Sequence, residues 1–239
     1  SLPISATLSM AAKARELKNN GVDIIGLSLG EPDFNTPEFI KDAAINAVND
    51  NWNSYSPVDG YLDLKAAICN KFKRDNGISY ESSQIVVSTG AKQSIANVCM
   101  VLLNPGDEVL LPAPYWVSYS AIATLAEAKS KIIPTSIDTD FKITPEQLEN
   151  SINSKTKLVM FNSPNNPSGT IYTENELRAL GKVLEKYPNI YILSDEIYEH
   201  INYGTPHFSI ASIPELYERT ITVNGVAMKN WRVWIFINS

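Results

Sequence analysis

Short apolar stretches of strand length alternate with segments of helical period along most of this chain. That alternation constrains the fold more than any other feature. Strand-like runs fall at residues 84–88, 108–111, 129–134, 157–161, 189–193 and 220–223. Between them, apolar residues recur at helical spacing at 91–103, at 115–126, onward from Thr144-Pro145-Glu146-Gln147, and at 174–186. Strands separated by helices run mostly parallel, because each connection must cross a face of the sheet. The expected fold class is α/β, with three layers (α/β/α) built on a mostly parallel sheet. Upstream, helices are expected at 6–20, stopped by Gly21, at 36–48 with Thr36 as cap and Pro37 in the first turn, and at 61–74. A strand is expected at 23–29. The apolar run 231–237 is followed by no turn or helix signal, and it is expected to leave exposed apolar surface prone to aggregation.

Composition excludes several classes. The chain has 239 residues, 44% of them hydrophobic and 19% charged, which suits one large globular domain or two small ones. A net charge of −6 argues against general nucleic-acid binding. No apolar run approaches the ~20 residues a membrane helix needs. The first residues lack the pattern of a secretory signal, so a cytoplasmic location is expected. Cys69 and Cys99 both sit in helical apolar patterns and are expected to be buried free thiols. Two histidines without a Cys/His cluster give no zinc pattern, and no metal is expected.

The chemistry lies in two polar runs that each follow an apolar strand. They are Asn162-Ser163-Pro164-Asn165-Asn166-Pro167-Ser168-Gly169 and Ser194-Asp195-Glu196-Ile197-Tyr198-Glu199-His200. In α/β proteins ligands bind just past the carboxyl ends of strands. An amide (Asn166), a carboxylate (Asp195) and a phenol (Tyr198) delivered to one such edge suit an aromatic cofactor with a ring nitrogen and a phenolic oxygen. Blander readings compete: a helix cap for Asp195, a turn residue before Pro167 for Asn166, and a packed aromatic for Tyr198. A third run, Ser88-Thr89-Gly90-Ala91-Lys92-Gln93, joins a strand to a helix start, where small residues and free N–H groups suit a phosphate.

Together with Pro112-Ala113-Pro114-Tyr115-Trp116 and Gly30-Glu31-Pro32-Asp33-Phe34, these runs resemble the pyridoxal-phosphate-dependent aminotransferases of fold type I (class I and II). The bacterial aspartate aminotransferase subgroup is the nearest in pattern, and the resemblance runs from Ser5 to Arg232. It implies pyridoxal 5'-phosphate as cofactor, with Asp195 on the ring nitrogen and Tyr198 and Asn166 on the phenolic oxygen. It implies Gly90, Ala91, Lys92 and Arg232 around the phosphate, and Trp116 stacked on the ring. Tyr55 would reach the phosphate of a neighbouring subunit, which implies a homodimer. Gly30, Trp116 and Asn166 would meet the substrate, and Lys92 is also associated with a distal substrate carboxylate. Residues 1–34 would join a small domain that is largely missing here, and residues 35–239 would form the large cofactor-binding domain. The implied activity is amino transfer between an amino acid, aspartate first, and a 2-oxo acid such as 2-oxoglutarate, with no nucleic-acid or membrane partner.

The resemblance breaks at one internal place. The family carries a Ser-Lys-aromatic segment between a Val-Asn-Gly-Val-like strand end and an Ala-Met-x-x-Trp-Arg stretch. Here Val223-Asn224-Gly225-Val226 runs directly into Ala227-Met228-Lys229-Asn230-Trp231-Arg232. Lys229 stands where the family has a small polar residue, so the catalytic lysine stays unassigned, and Asn230 replaces a glycine. Two other readings remain: a non-catalytic remnant that binds cofactor or a partner chain, and a lyase or synthase on the same scaffold.

Overall fold

A computed structural model describes residues 6–26, 35–225 and 234–237. Its centre is a seven-stranded sheet of β1 (Ile85–Ser88), β2 (Glu108–Pro112), β3 (Lys129–Ile133), β4 (Thr156–Asn162), β5 (Tyr191–Asp195), β6 (Thr220–Gly225) and β7 (Trp234–Ile237). The spatial order is β1-β7-β6-β5-β4-β2-β3. Strands β2 to β6 pair in parallel, while β7 runs antiparallel to both β1 and β6. The expected α/β class and mostly parallel sheet are thus what the chain adopts.

Helices cover both faces. Helix α4 (Ala91–Leu102) and α5 (Ser118–Leu125) pack Ile95, Val98, Cys99, Ile122 and Ala123 against Val109, Leu158, Met160 and Val223 of the sheet. On the other face, α6 (Pro145–Ser151) and α7 (Glu174–Glu185) bury Leu148, Leu177, Leu180 and Leu184 against Leu110, Val159, Phe161 and Ile192. The alternation of core side along β4 (Leu158 and Met160 one way, Val159 and Phe161 the other) is the period-2 signature of a strand buried on both faces. α6 and α7 begin with complete capping boxes, Thr144 with Gln147 and Thr173 with Glu176.

The C-terminal end of α7 is closed by a distant side chain. Arg219 donates through Nη1 to the carbonyls of Tyr187 (2.8 Å) and Ile190 (3.0 Å), and through Nη2 to Leu184 (2.8 Å). Helix ends leave carbonyls without intrahelical donors, and a charged fork satisfies them strongly. Arg219→Ala is expected to cost about 2 kcal/mol, read as a lowered urea midpoint with an unchanged slope. An unchanged midpoint would show that water satisfies these carbonyls equally well.

The amino-terminal part differs most from expectation. α1 (Ala6–Asn19) and α2 (Glu38–Asn49) form, but α2 buries no residue, and Phe39 and Val48 are exposed. Its cap is Pro37 without a side-chain bond, in place of Thr36. Residues 23–26 form no strand and Ile25 is exposed, so β-branched content alone did not suffice without a pairing neighbour; the remainder of the expected strand lies outside the described residues. Helix α3 (Leu62–Asn76) ends at Gly77 with φ +69°, the left-handed cap that glycine adopts without penalty. Before α3, Gly60 (φ +100°) lies so close to β1 that a Cβ there would sit 2.6 Å from Val87 Cγ2. The loop carrying Tyr55 is docked at that point, with the Val87 N–H donating to the Asp59 carbonyl at 3.1 Å.

Residues 234–237 of the run expected to leave exposed apolar surface form β7, whose backbone completes the ladders of both β1 and β6; the exposure of their side chains lies outside what is described. One further expectation is corrected. Cys99 is buried, but Cys69 is only partly so, packed against the edge of the Ile68–Phe72 cluster; both thiols are free.

Candidate functional site

Strands β4 and β5 end in register, with Asn162 opposite Asp195. Asn162 ties the two following loops together. Its Nδ2 donates to the Asp195 carbonyl at 2.9 Å, and its Oδ1 accepts the Asn166 N–H at 2.7 Å. The Ser163 N–H also donates to the Asp195 carbonyl, at 3.2 Å. The turn beyond is folded on Asn165, whose Oδ1 accepts from the Ser168 N–H (3.1 Å) and Oγ (2.8 Å). This scaffold sends the Asn166 amide across to the second loop, where Nδ2 donates to Tyr198 Oη at 3.3 Å. The amide and the phenol expected to share a ligand oxygen are therefore neighbours.

Asp195 is 4% exposed. No helix follows it: residues 197–200 form a turn, and Oδ1 accepts the Ile197 N–H at 3.2 Å. The helix-cap reading therefore gives way to an Asx-type turn. Oδ2 accepts the Tyr119 hydroxyl at 2.6 Å. Among the described residues the carboxylate has no cationic partner. Burial therefore raises its pKa to about 6, against the pull of the Tyr119 and Ile197 hydrogen bonds. A buried carboxylate in this condition is complemented by a cationic hydrogen-bond donor. Tyr198 is half-buried, and its pKa is raised by that burial, so its hydroxyl stays protonated and able to donate.

Trp116 packs edge-on to Tyr119 with ring centroids 5.5 Å apart, and the Lys92 ammonium lies 5.0 Å from the Trp116 ring centroid. Lys92 is on the first turn of α4, directly after Gly90 (φ +119°) and buried Ala91. The Gln93 side chain folds back to accept from the Thr89 N–H and Oγ1, both at 2.7 Å, which fixes the entry to the helix. The first N–H groups of α4 have no intrahelical acceptor, so they can meet an anion. Trp116 thus bridges the Asp195–Tyr119 pair and the α4 start. Tyr55 stands apart, fully exposed on its loop. Gly30 and Arg232 lie outside the described residues, as does Lys229.

Two contributors are not evident from the sequence. Tyr119 lies one helical turn beyond Trp116, and that spacing was its only signal. Asn162 looked like one more polar residue of a turn, although it holds both loops. A narrow pocket, partly open to solvent and with room for about one water molecule, runs behind the Asn162 turn past Tyr115, Phe141, Asn165 and Tyr172. Asp195, Asn166 and Tyr198 do not line it.

Residues 22–233 match the family described as Aminotransferase class I and II. The chain is 48% identical over 235 residues to an aspartate/prephenate aminotransferase of Nitrosomonas europaea, covering 96% of this chain and 59% of that protein. It is equally identical, at 48%, to an aspartate aminotransferase of Bacillus subtilis, covering 96% of this chain and 60% of the other. In structure it superposes on an aspartate aminotransferase from Rhizobium meliloti with a TM-score of 0.94 and 43% identity, over 100% of this chain and 61% of the other. A Thermus thermophilus aspartate aminotransferase with maleate gives a TM-score of 0.94 at 38% identity, over 99% and 62%. The chain spans about 60% of the length of the proteins it matches.

Proposed function

Because the chain belongs to the aminotransferase class I and II family, we propose that its protein moves an amino group between an amino acid, aspartate foremost, and a 2-oxo acid such as 2-oxoglutarate. The family depends on pyridoxal 5'-phosphate. One observation carries the reading at this site: Asp195 is a buried carboxylate with no cationic partner among the described residues, set beside a protonated Tyr198 and its Asn166 partner. The residues fit the cofactor. Asp195 would hold the ring nitrogen, Tyr198 and Asn166 the phenolic oxygen, and Gly90, Ala91 and Lys92 the phosphate at the start of α4, with Trp116 against the ring. Arg232 and the partner-reaching Tyr55 complete the proposed phosphate set, and Gly30 is proposed to meet the substrate.

When bound, the cofactor supplies an electron-withdrawing ring that takes up the electron pair left as a bond at the amino acid α-carbon breaks. The protein tunes that ring. Asp195 would keep a proton on the ring nitrogen, its carboxylate oriented by the 2.6 Å bond from Tyr119. Tyr198 would donate to the phenolic oxygen and favour its anionic form. Lys92 would offer its charge to a distal substrate carboxylate, which favours aspartate.

The reading extends to a cytoplasmic homodimer, with residues 1–34 in a small domain and 35–239 in the large one. The exposed Tyr55 and the uncovered apolar face of α2 support a second chain packing nearby. Among the described residues no helix is long and apolar enough to cross a membrane.

The test is a titration of the chain with pyridoxal 5'-phosphate, followed by tryptophan fluorescence. Saturable quenching is expected, and Tyr198→Phe is expected to weaken it about tenfold, the worth of one hydrogen bond to a charged group. Quenching that never saturates would overturn the reading.

A further inference from the structure

The turn that presents Asp195 and Tyr198 also carries Glu196 and Glu199, which are 1% and 3% exposed. Both pairs are spaced i, i+3. One pair faces the candidate site, and the other enters a separate buried polar cage. Glu196 Oε1 accepts from Ser194 Oγ (2.8 Å) and Ser209 Oγ (2.6 Å), while its Oε2 lies 3.0 Å from His207 Nε2. Glu199 accepts from Asn76 Nδ2 at 3.1 Å, pairs with the Lys71 ammonium, and has His200 Nε2 at 3.2 Å. Lys71 is held in turn by Asn76 Oδ1 at 2.8 Å. The cage joins three separate segments: α3, the turn after β5, and the loop at 207–209.

Burying two carboxylates one turn apart is costly unless each is fully paired. Here each is, and the pairing groups come from elements fixed by the core. Burial opposes a charge on His207, but the two glutamates outweigh it, so the ring keeps its proton above the ordinary 6.5. Oxygens of Glu196 and Glu199 and a His207 nitrogen lie within 4.8 Å of one another, a spacing a metal could use, but Glu199 already pairs with the Lys71 ammonium and Glu196 with the His207 ring.

We propose that Glu196 and Glu199, through Lys71, His207 and Ser209, are positioning residues that set where Asp195 and Tyr198 stand relative to the cofactor ring. The proposal rests on the cofactor reading above. A backbone turn has few ways to relax when both of its inward side chains are pinned. Loosening either one shifts the outward pair.

The experiment uses the 239-residue chain and pyridoxamine 5'-phosphate, a probe that needs no lysine. The readouts are its affinity, the pH at which the bound ring titrates in absorbance, and the melting temperature. Lys71→Met is expected to weaken binding on the order of tenfold, the effect typical of removing groups that orient a ligand-holding side chain. It is also expected to lower the pH at which the ring loses its proton, because Asp195 no longer sits squarely on the nitrogen. Lys71→Arg is expected to restore both. Arg219→Ala, which disturbs the opposite end of the sheet, is expected to lower the melting temperature without moving the ring titration. If Lys71→Met fails to fold, Ser209→Ala carries the same expectation with a smaller shift. Unchanged affinity and titration in the cage variants, or an equal shift in Arg219→Ala, would overturn the inference alone. Absence of probe binding by the unaltered chain would overturn it together with the cofactor reading.

Discussion

Asp195→Asn is expected to act in opposite directions on the cofactor-free chain and on cofactor binding. Affinity for pyridoxal phosphate should fall roughly a hundredfold or more, because breaking a buried ion pair costs roughly 3–5 kcal/mol. The cofactor-free chain should instead become more stable at pH 7. In the folded chain Asp195 titrates at about 6, against 3.8 for an unperturbed aspartate. A carboxyl whose pKa rises on folding favours the folded state only while protonated. Its contribution is complete below 3.8 and is lost as the pH climbs through about 6. The ionised form therefore weakens the folded chain at neutral pH by up to about 3 kcal/mol. Asparagine removes that penalty and can still meet Tyr119 and the Ile197 N–H. Urea unfolding between pH 4 and 8 measures one effect, and cofactor titration the other. A variant that binds cofactor normally would leave Asp195 as a turn residue only. A variant less stable than its parent at pH 7 would show that the charge is not the cost.

No measurable transamination between aspartate and 2-oxoglutarate is expected from the 239-residue chain itself. Between Gly225 and Trp231 the one lysine is Lys229, and its spacing to Arg232 leaves no room for the Ser-Lys-aromatic segment that family members carry. Asp195, Tyr198 and Asn166 can hold and polarise a ring, but none of them is an amine base. Proton transfer by a placed general base is worth ~10²–10⁴-fold, and the covalent step of a nucleophilic lysine is lost besides. The measurement is oxaloacetate formation with cofactor in excess. A chain with Ser-Lys-Tyr inserted between Val226 and Ala227 provides the comparison. Steady turnover by the unaltered chain would mean that Lys229 or another group replaces the missing lysine.

Much of this architecture is legible in the sequence, for specific reasons. Strands β2, β4, β5 and β6 are buried on both faces, so their apolar runs stand out against flanking turns. Thr144 marks the start of α6 because capping depends only on local spacing. Asp195 was identifiable as a ligand-type carboxylate from its place after β5, but its pairing with Tyr119 was not. That contact spans 76 residues, and no local pattern encodes it. The Glu196–His207 cage was hidden for the same reason, since acidic residues in a turn usually read as solvated. The strand expected at 23–29 failed in its described part because apolar content gives no strand without a neighbour to pair with. The run at 231–237 was read as apolar, but the pairing of residues 234–237 between β1 and β6 was hidden, because antiparallel insertion depends on distant partners.

The position of β7 also orders the making of this fold. Among the described strands, β1 touches the rest of the sheet only through β7, although the two lie about 150 positions apart along the chain. On the ribosome, β2 to β6 can zip together as each emerges, since every one finds its neighbour already made or made next. β1 emerges before any of them and can only wait against α3. The first strand synthesised is thus the last to be joined. Until residue 234 has left the exit tunnel, two unpaired strand edges face each other across an open slot that another copy of the same nascent chain could fill.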